Sequence, residues 1–189
     1  MTRRSAAQPT LRTPRLVLRP FRLEDAADVQ RLCSSREIAA TTLAIPHPYP
    51  EGAAEAWIAG HAEAFARREL AHFAITRPED EALLGAISLT FECEHNRAEL
   101  GFWVGVPFWG CGYATEAAAA VLRYAFEVEG LQRVYAFHFT NNPASGRVLQ
   151  KIGMTHEGTR RRHTLKWDRY LDSEAYAILR DDWEHASPL

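Results

Sequence analysis

The chain has 189 residues, 47% hydrophobic and 24% charged, with a formal net charge of -2. That is enough for one domain with its own core and lacks the basic footprint of a nucleic-acid binder. The three cysteines, Cys33, Cys93 and Cys111, are odd in number and widely spaced, with no CxxC. They argue against a disulfide framework or zinc ribbon and suit a reducing cytoplasm. No apolar run approaches the ~20 residues of a membrane span. The opening MTRRSAAQPT has two arginines and no apolar stretch after them, unlike a secretory signal. Residues 1–10 read as a flexible tail and residues 11–185 as one domain.

In chain order, Thr13 to Arg19 predicts a short strand with Leu16 and Leu18 on one face. Glu24 to Cys33 predicts a helix that turns Ala27, Val29 and Leu32 inward. The Pro-rich stretch Ile45 to Gly52 predicts a loop, since Pro removes donors and fixes φ. Glu51 to Glu69 predicts one helix, with Ala54, Trp57, Ile58, His61 and Phe65 at helical spacing. His72 to Thr76 is a short strand. Leu83 to Phe91 alternates cleanly, turns at Glu94-His95-Asn96 and returns over Ala98 to Val106 as an antiparallel hairpin. A helical stripe follows: Ala117, Ala118, Val121, Leu122, Ala125 and Phe126, stopped by Gly130. Then come a strand over Arg133 to Thr140, a helix opened at Asn142 and ended by Gly153, and strands over Met154 to Arg160 and Leu171 to Leu179. Antiparallel strands joined to one strand-helix-strand crossover make an α+β fold on a twisted mixed sheet.

The segment VGVPFWGCGYATE, Val104 to Glu116, bears the most chemistry. A strand ends, a Gly-rich turn follows and a helix begins. Gly110 and Gly112 permit unusual φ and leave the backbone bare. The N–H groups of Gly112, Tyr113, Ala114 and Thr115 then converge at the positive end of a helix dipole, where phosphates bind. A Gly turn before an ordinary surface helix is the alternative. The segment matches neither GxxxxGK[ST] nor GxGxxG.

Trp109-Gly110-Cys111-Gly112-Tyr113-Ala114 resembles the pyrophosphate motif (Q/R)xxGx(G/A) of the GNAT superfamily of N-acetyltransferases at its last four places. Trp109 stands where Gln or Arg is usual, and WGxGYATEA is a common form in the RimJ/RimL-like branch. TPRLVLRPFRLED, PYPEGAAEAWI, GFWV, NNPASGRVLQKIGMTHEG and WDRYLDSEAYAILRDDW resemble further pieces of that branch, in order, from roughly Leu11 to Trp183. The resemblance implies acetyl-CoA as co-substrate and a primary amine as acceptor. It also implies a splayed pair of parallel strands, Ala98–Val106 and Arg133–Thr140, with pantetheine in the gap. An amide-bearing arm can satisfy the backbone groups that parting strands leave unpaired. Trp103, Val104 and Val106 are expected to line the gap, and Trp109, Gly110, Gly112, Tyr113, Ala114 and Thr115 to hold the pyrophosphate.

In relatives, the residue matching Asn142 touches the cofactor arm and that matching Ser145 lies near the thiol. Both types also favour helix starts, so capping is the competing reading. Leu149 falls where many relatives carry a Tyr that protonates the leaving thiolate, which leaves Ser145 as a candidate for that role. Glu99, at the head of the strand ELGFWV, is a candidate general base for the arriving ammonium; a surface Glu at a strand end is the alternative. His138 reads as packed in the sheet, and Cys111 as incidental. The absence of HxxxH and HExxH leaves no expected metal site. The acceptor is expected to be the α-amine of a ribosomal protein or a small amine, and a non-catalytic acyl-CoA-binding module is the other function considered.

Overall fold

The computed structural model of the chain describes residues 7–185. Residues 1–6, the larger part of the expected tail, lie outside the described residues. Further along, the Gln8 side chain donates to the His72 carbonyl at 2.7 Å.

Eight strands form one mixed sheet. They are β1 (Leu11–Arg12), β2 (Val17–Pro20), β3 (Leu70–Thr76), β4 (Leu83–Glu92), β5 (Arg97–Val104), β6 (Arg133–Phe139), β7 (Thr155–Lys166) and β8 (Arg169–Leu179). Their order across the sheet is β1-β2-β3-β4-β5-β6-β8-β7. Every pairing is antiparallel except β5 with β6. That one parallel step needs a crossover, which α5 (Tyr113–Arg123) and a π-helical turn over Tyr124–Val128 supply. The α+β class and the mixed sheet are as the sequence implied.

Period-two alternation divides the sheet into two faces. One packs on α5 and on α6 (Pro143–Lys151): Phe73, Ile75, Ile87, Leu89, Ala98 and Leu100 meet Ala117, Ala118, Val121, Leu122, Ala125 and Phe126 there. All six residues of the predicted helical stripe are buried. Phe126 is fully enclosed, so truncating it to Ala would cost ~3–5 kcal/mol. The other face carries α1 (Ala26–Cys33), α2 (Arg36–Thr41), α3 (Ala53–Ala59) and α4 (His61–Ala66) around a smaller core of Val29, Leu32, Ala54, Ile58 and Ala74. The buried pair Arg19–Asp25 ties β2 to the entry of α1 through two bonds of 2.7 Å. Burial alone would raise the Asp25 carboxyl; Arg19 and the Arg22 N–H more than offset it and leave it lowered.

Three local expectations are corrected. The helix read over Glu51 to Glu69 is two helices that break at Gly60, the poorest helix former in the run after Gly52. The second ends early because Arg68 turns left-handed, with φ 57°. The helix read from Glu24 starts as a 3₁₀ turn over Leu23–Asp25, which rotates Ala26 inward and leaves Ala27 exposed. The strand read to Val106 stops at Val104; Val106 belongs to a 3₁₀ turn with Pro107, which has no N–H to extend a ladder.

Candidate active site

β5 and β6 are paired only over Arg97–Glu99 and Arg133–Tyr135. Beyond that point they separate, although β5 runs on to Val104 and β6 to Phe139. A cavity of about 960 Å³ occupies the parting. Glu99, Trp103 and Val104 line it from β5, Phe137 and Phe139 from β6, and Asn142 and Ser145 from the start of α6. Gly105 follows the end of β5 and donates to the Leu84 carbonyl at 2.8 Å, so the chain stays bonded to the β4 side past the end of the strand.

The Gly-rich turn closes one end of the cavity. Trp109, Gly110, Gly112, Tyr113, Ala114 and Thr115 all contribute to its wall. Gly110 and Gly112 have φ of 76° and 80°, a region where any Cβ is strained. The first helical bond of α5 runs from Glu116 N–H to the Gly112 carbonyl at 3.1 Å. The N–H groups of Gly112 to Thr115 therefore lie ahead of the helical ladder, and no side chain of the described residues caps this end. Trp109 is half exposed, and its indole N–H donates to the Val104 carbonyl at 2.6 Å, which pins the turn to the end of β5. Val106 is the one expected cofactor residue outside the cavity wall, because the turn with Pro107 takes it off the strand.

The turn has a brace that the sequence reading missed. Glu116 accepts from the Thr13 hydroxyl at 2.6 Å, the Arg15 N–H at 2.9 Å and Arg15 Nε at 2.7 Å. Arg15 Nη1 also donates to the Cys111 carbonyl at 3.1 Å. Burial would raise the Glu116 carboxyl, but these donors leave it lowered and so charged. Thr13 and Arg15 sit a hundred residues before Glu116, so nothing in local spacing signals the contact.

Glu99 occupies the fork where the strands part. It is partly buried, opposite Tyr135 in register and opposite Thr90 on its other side. Burial pushes its carboxyl above the ordinary carboxylate value, and the charge of Glu92 adds to that; Arg160 and the Tyr135 hydroxyl oppose without cancelling. A partly desolvated carboxylate with a raised pKa is suited to accept a proton near neutral pH.

Asn142 caps α6: its side-chain oxygen accepts from the Ser145 N–H at 3.3 Å. The competing capping reading of Asn142 is therefore realised, while its side chain still borders the cavity. Leu149 is fully buried in the core beneath α6. His138 is buried with Nδ1 2.9 Å from the Phe139 carbonyl, packed so closely on α6 that a Cβ on Gly146 would lie 2.6 Å from its Nε2.

The far wall comes from elements that the sequence reading left without a role. Arg160, His163 and Thr164 reach the cavity from β7, and Thr41, Thr42 and Leu43 from the end of α2. Lys166 binds the two groups together, donating to the carbonyls of Thr42 at 2.6 Å and Leu43 at 3.3 Å. Deeper on that side His61 and His72 lie against each other and Trp57, and burial pushes them down to about 4 and about 3, hence neutral. Among the described residues no group of three or more His, Cys, Asp or Glu could hold a metal ion. No helix among them is long and apolar enough to cross a membrane.

The chain belongs to the GNAT acetyltransferases: residues 15–155 match the family described as "Acetyltransferase (GNAT) domain". It is 29% identical over 173 residues to the uncharacterized N-acetyltransferase YoaA of Bacillus subtilis (strain 168), covering 91% of this chain and 97% of that one. It is 31% identical over 194 residues to FsC-acetyl coenzyme A-N(2)-transacetylase of Aspergillus fumigatus, covering 94% of this chain and 79% of that one. The crystal structure of a GNAT-family acetyltransferase from Bacillus anthracis superposes with a TM-score of 0.82 at 25% identity, covering 92% of this chain and 99% of that one.

Proposed function

We propose that the chain transfers an acetyl group from acetyl-CoA directly to a primary amine, the two substrates meeting where β5 and β6 part. The parting beside the free N–H groups of α5 carries the reading. The name of the Aspergillus fumigatus relative, an acetyl coenzyme A transacetylase, supports the choice of acyl donor. The site fits that donor. Unpaired strand edges suit the amides of a pantetheine arm. The helix start with its two left-handed glycines suits a pyrophosphate. Arg147 and Lys151 add positive charge to the cavity wall from α6.

When bound, acetyl-CoA supplies an activated acetyl group as a thioester. Trp103 and Val104 border the arm, Trp109, Gly110 and Gly112 to Thr115 hold the pyrophosphate, and Asn142 borders the arm from the start of α6. Glu99, directly or through water, removes the proton that keeps the amine from attacking. Ser145 donates a hydrogen bond toward the departing sulfur. The WGCGYATEA form of the loop supports the RimJ/RimL-like branch, and with it the α-amine of a ribosomal protein or a small amine as acceptor. Three free cysteines support a reducing, cytoplasmic setting.

The test is release of free thiol from acetyl-CoA in the presence of an amine panel that includes peptides beginning with Ala or Ser. Amine-dependent thiol release with an acetylated product is expected. Tight acetyl-CoA binding with no thiol release on any amine would instead make the chain a binding module. The buried Leu149, where many relatives carry the acid, is the observation that favours that second reading.

A further inference from the structure

Arg160 lines the cavity wall from β7, and the transfer chemistry gives its charge no role. It lies on β7 where the ladder with β8 breaks register, between Arg160 and Thr164. Its side chain crosses β8 and places the guanidinium carbon 3.8 Å from the centre of the Phe137 ring on β6. Ala175 pairs with Phe137 on one side and Gly158 on the other, so small residues leave the path open. Stacking on an aromatic face holds a guanidinium in one orientation.

Among the described residues the cation has no acidic partner within ion-pairing distance. Among the described residues its hydrogen bond is to His163 Nε2, at 3.4 Å. Arg97 and Arg133, farther along the same face of the sheet, are each paired, with Glu92 and Glu157. Glu99 is the carboxylate that feels Arg160. The observed register puts Glu99, Tyr135, Phe137 and Arg160 on one face, and Tyr135 and Phe137 are 5.4 Å apart centre to centre. Glu99 and Arg160 therefore line one cavity from the same face of the sheet, with Tyr135 and Phe137 between them.

Resting on the acetyltransferase reading, we infer that the acceptor carries an anionic group, a carboxylate or a phosphate, close to its amine, and that Arg160 receives it while Glu99 receives the ammonium. Such an acceptor matches both wall charges. A polyamine matches only one, and its second ammonium would face Arg160. A guanidinium presents a fork of donors that fits carboxylate and phosphate oxygens alike. His163, beside it, adds a further donor.

Matched acceptors test this in steady-state kinetics with the intact chain. The peptide amides Ala-Glu and Ala-Gln probe a carboxylate, phosphoethanolamine and ethanolamine probe a phosphate, and spermidine serves as the purely cationic amine. The wild type is expected to prefer the anionic member of at least one pair by about two- to five-fold in kcat/KM, the scale of an ion pair made by an exposed arginine. The pair that shows the preference identifies the anion. Arg160→Gln should erase it by raising the acceptor KM, with the KM for acetyl-CoA unchanged, and Arg160→Lys should restore part of it. Arg160→Glu should turn the preference toward spermidine, which guards against a merely unfolded variant. Equal transfer to both members of both pairs, or an Arg160→Gln enzyme that keeps the preference, overturns the inference and leaves the acetyltransferase reading standing. Failure to acetylate any amine overturns both.

Discussion

The two edges of β5 belong to the same eight residues and behave in opposite ways. Toward β4 the strand is paired along its whole length, from Arg97 opposite Glu92 to Val104 opposite Gly85. Toward β6 it is paired only from Arg97 to Glu99. Sequence composition does not differ between edges of one strand; what differs is where the neighbouring chain goes. The closed edge is a full ladder that holds β5 to the body of the sheet. The open edge leaves polar backbone groups that a substrate can satisfy, and Glu99 stands where one regime gives way to the other. Variants on the closed edge should therefore register in stability, and those on the open edge in turnover or ligand affinity.

The largest effect is expected from Glu99→Gln. Loss of a positioned base should lower kcat/KM by ~10²–10⁴ at pH 7. The deficit should shrink at high pH, where the amine arrives neutral. In the wild type, activity should rise with pH through a carboxyl value above the ordinary one, and the variant should lack that limb. The stability sign is opposite. A carboxyl raised in the folded state contributes stability below its unfolded value and loses it as pH rises through the folded one. Ionised Glu99 therefore weighs against folding at pH 7, and thermal melting should show Glu99→Gln at or above the wild type. Full activity with a wild-type pH profile, where chemistry limits the rate, would remove Glu99 from the role of base.

Gly85→Ala tests the closed edge. A Cβ there would lie 2.2 Å from the Trp103 carbonyl oxygen and 2.8 Å from the Val104 Cα. Both are backbone atoms of the paired strand and cannot swing aside. Urea unfolding should show a loss of ~1–3 kcal/mol or more. A wild-type midpoint would mean that the closed edge yields, and the contrast between edges would lose its basis.

Gly112→Val tests the far end of the open edge. Space is not the obstacle, since the nearest atom to a Cβ added there is Arg15 Nη2 at 3.5 Å. The obstacle is φ of 80°, which a β-branched residue resists by ~1–3 kcal/mol, and a side chain projecting where a pyrophosphate would approach. Calorimetry should show CoA binding weakened about ten-fold or more, each ten-fold being ~1.4 kcal/mol. Unchanged affinity in a folded variant would move the pyrophosphate elsewhere.

The helix and the bare turn before it were legible in the chain, whereas the parting of β5 from β6 was implied only by the family resemblance. The stripe from Ala117 to Phe126 has helical period and is wholly buried, and the paired glycines before it mark a helix start that must stay bare. The strand limits were less legible, because Val106 continues an apolar run and only Pro107 signals the stop. The acceptor wall was almost silent. THEGTRRRHTLK is polar on both faces and breaks register twice, so period-two alternation cannot place Arg160 on Phe137. The Thr13–Arg15–Glu116 brace is a long-range contact between surface-type residues, which no local pattern encodes.

The smallest effect, and the most discriminating one, is expected from Ser145→Ala. The cap of α6 uses the backbone N–H of Ser145 and the side-chain oxygen of Asn142. Removing the hydroxyl leaves that bond intact, so melting should not change, whereas Asn142→Ala should cost ~0.5–2 kcal/mol as a lost cap. A hydroxyl that steadies a departing thiolate acts in the transition state and not in the bound ground state. Ser145→Ala should then lower kcat by about ten-fold, the scale of one hydrogen bond to a charged group, with the KM for acetyl-CoA unchanged. Equal losses in kcat and affinity would place the hydroxyl on the bound arm instead. A wild-type kcat would leave Ser145 as a first-turn residue of α6, with the proton reaching sulfur from solvent through the open edge.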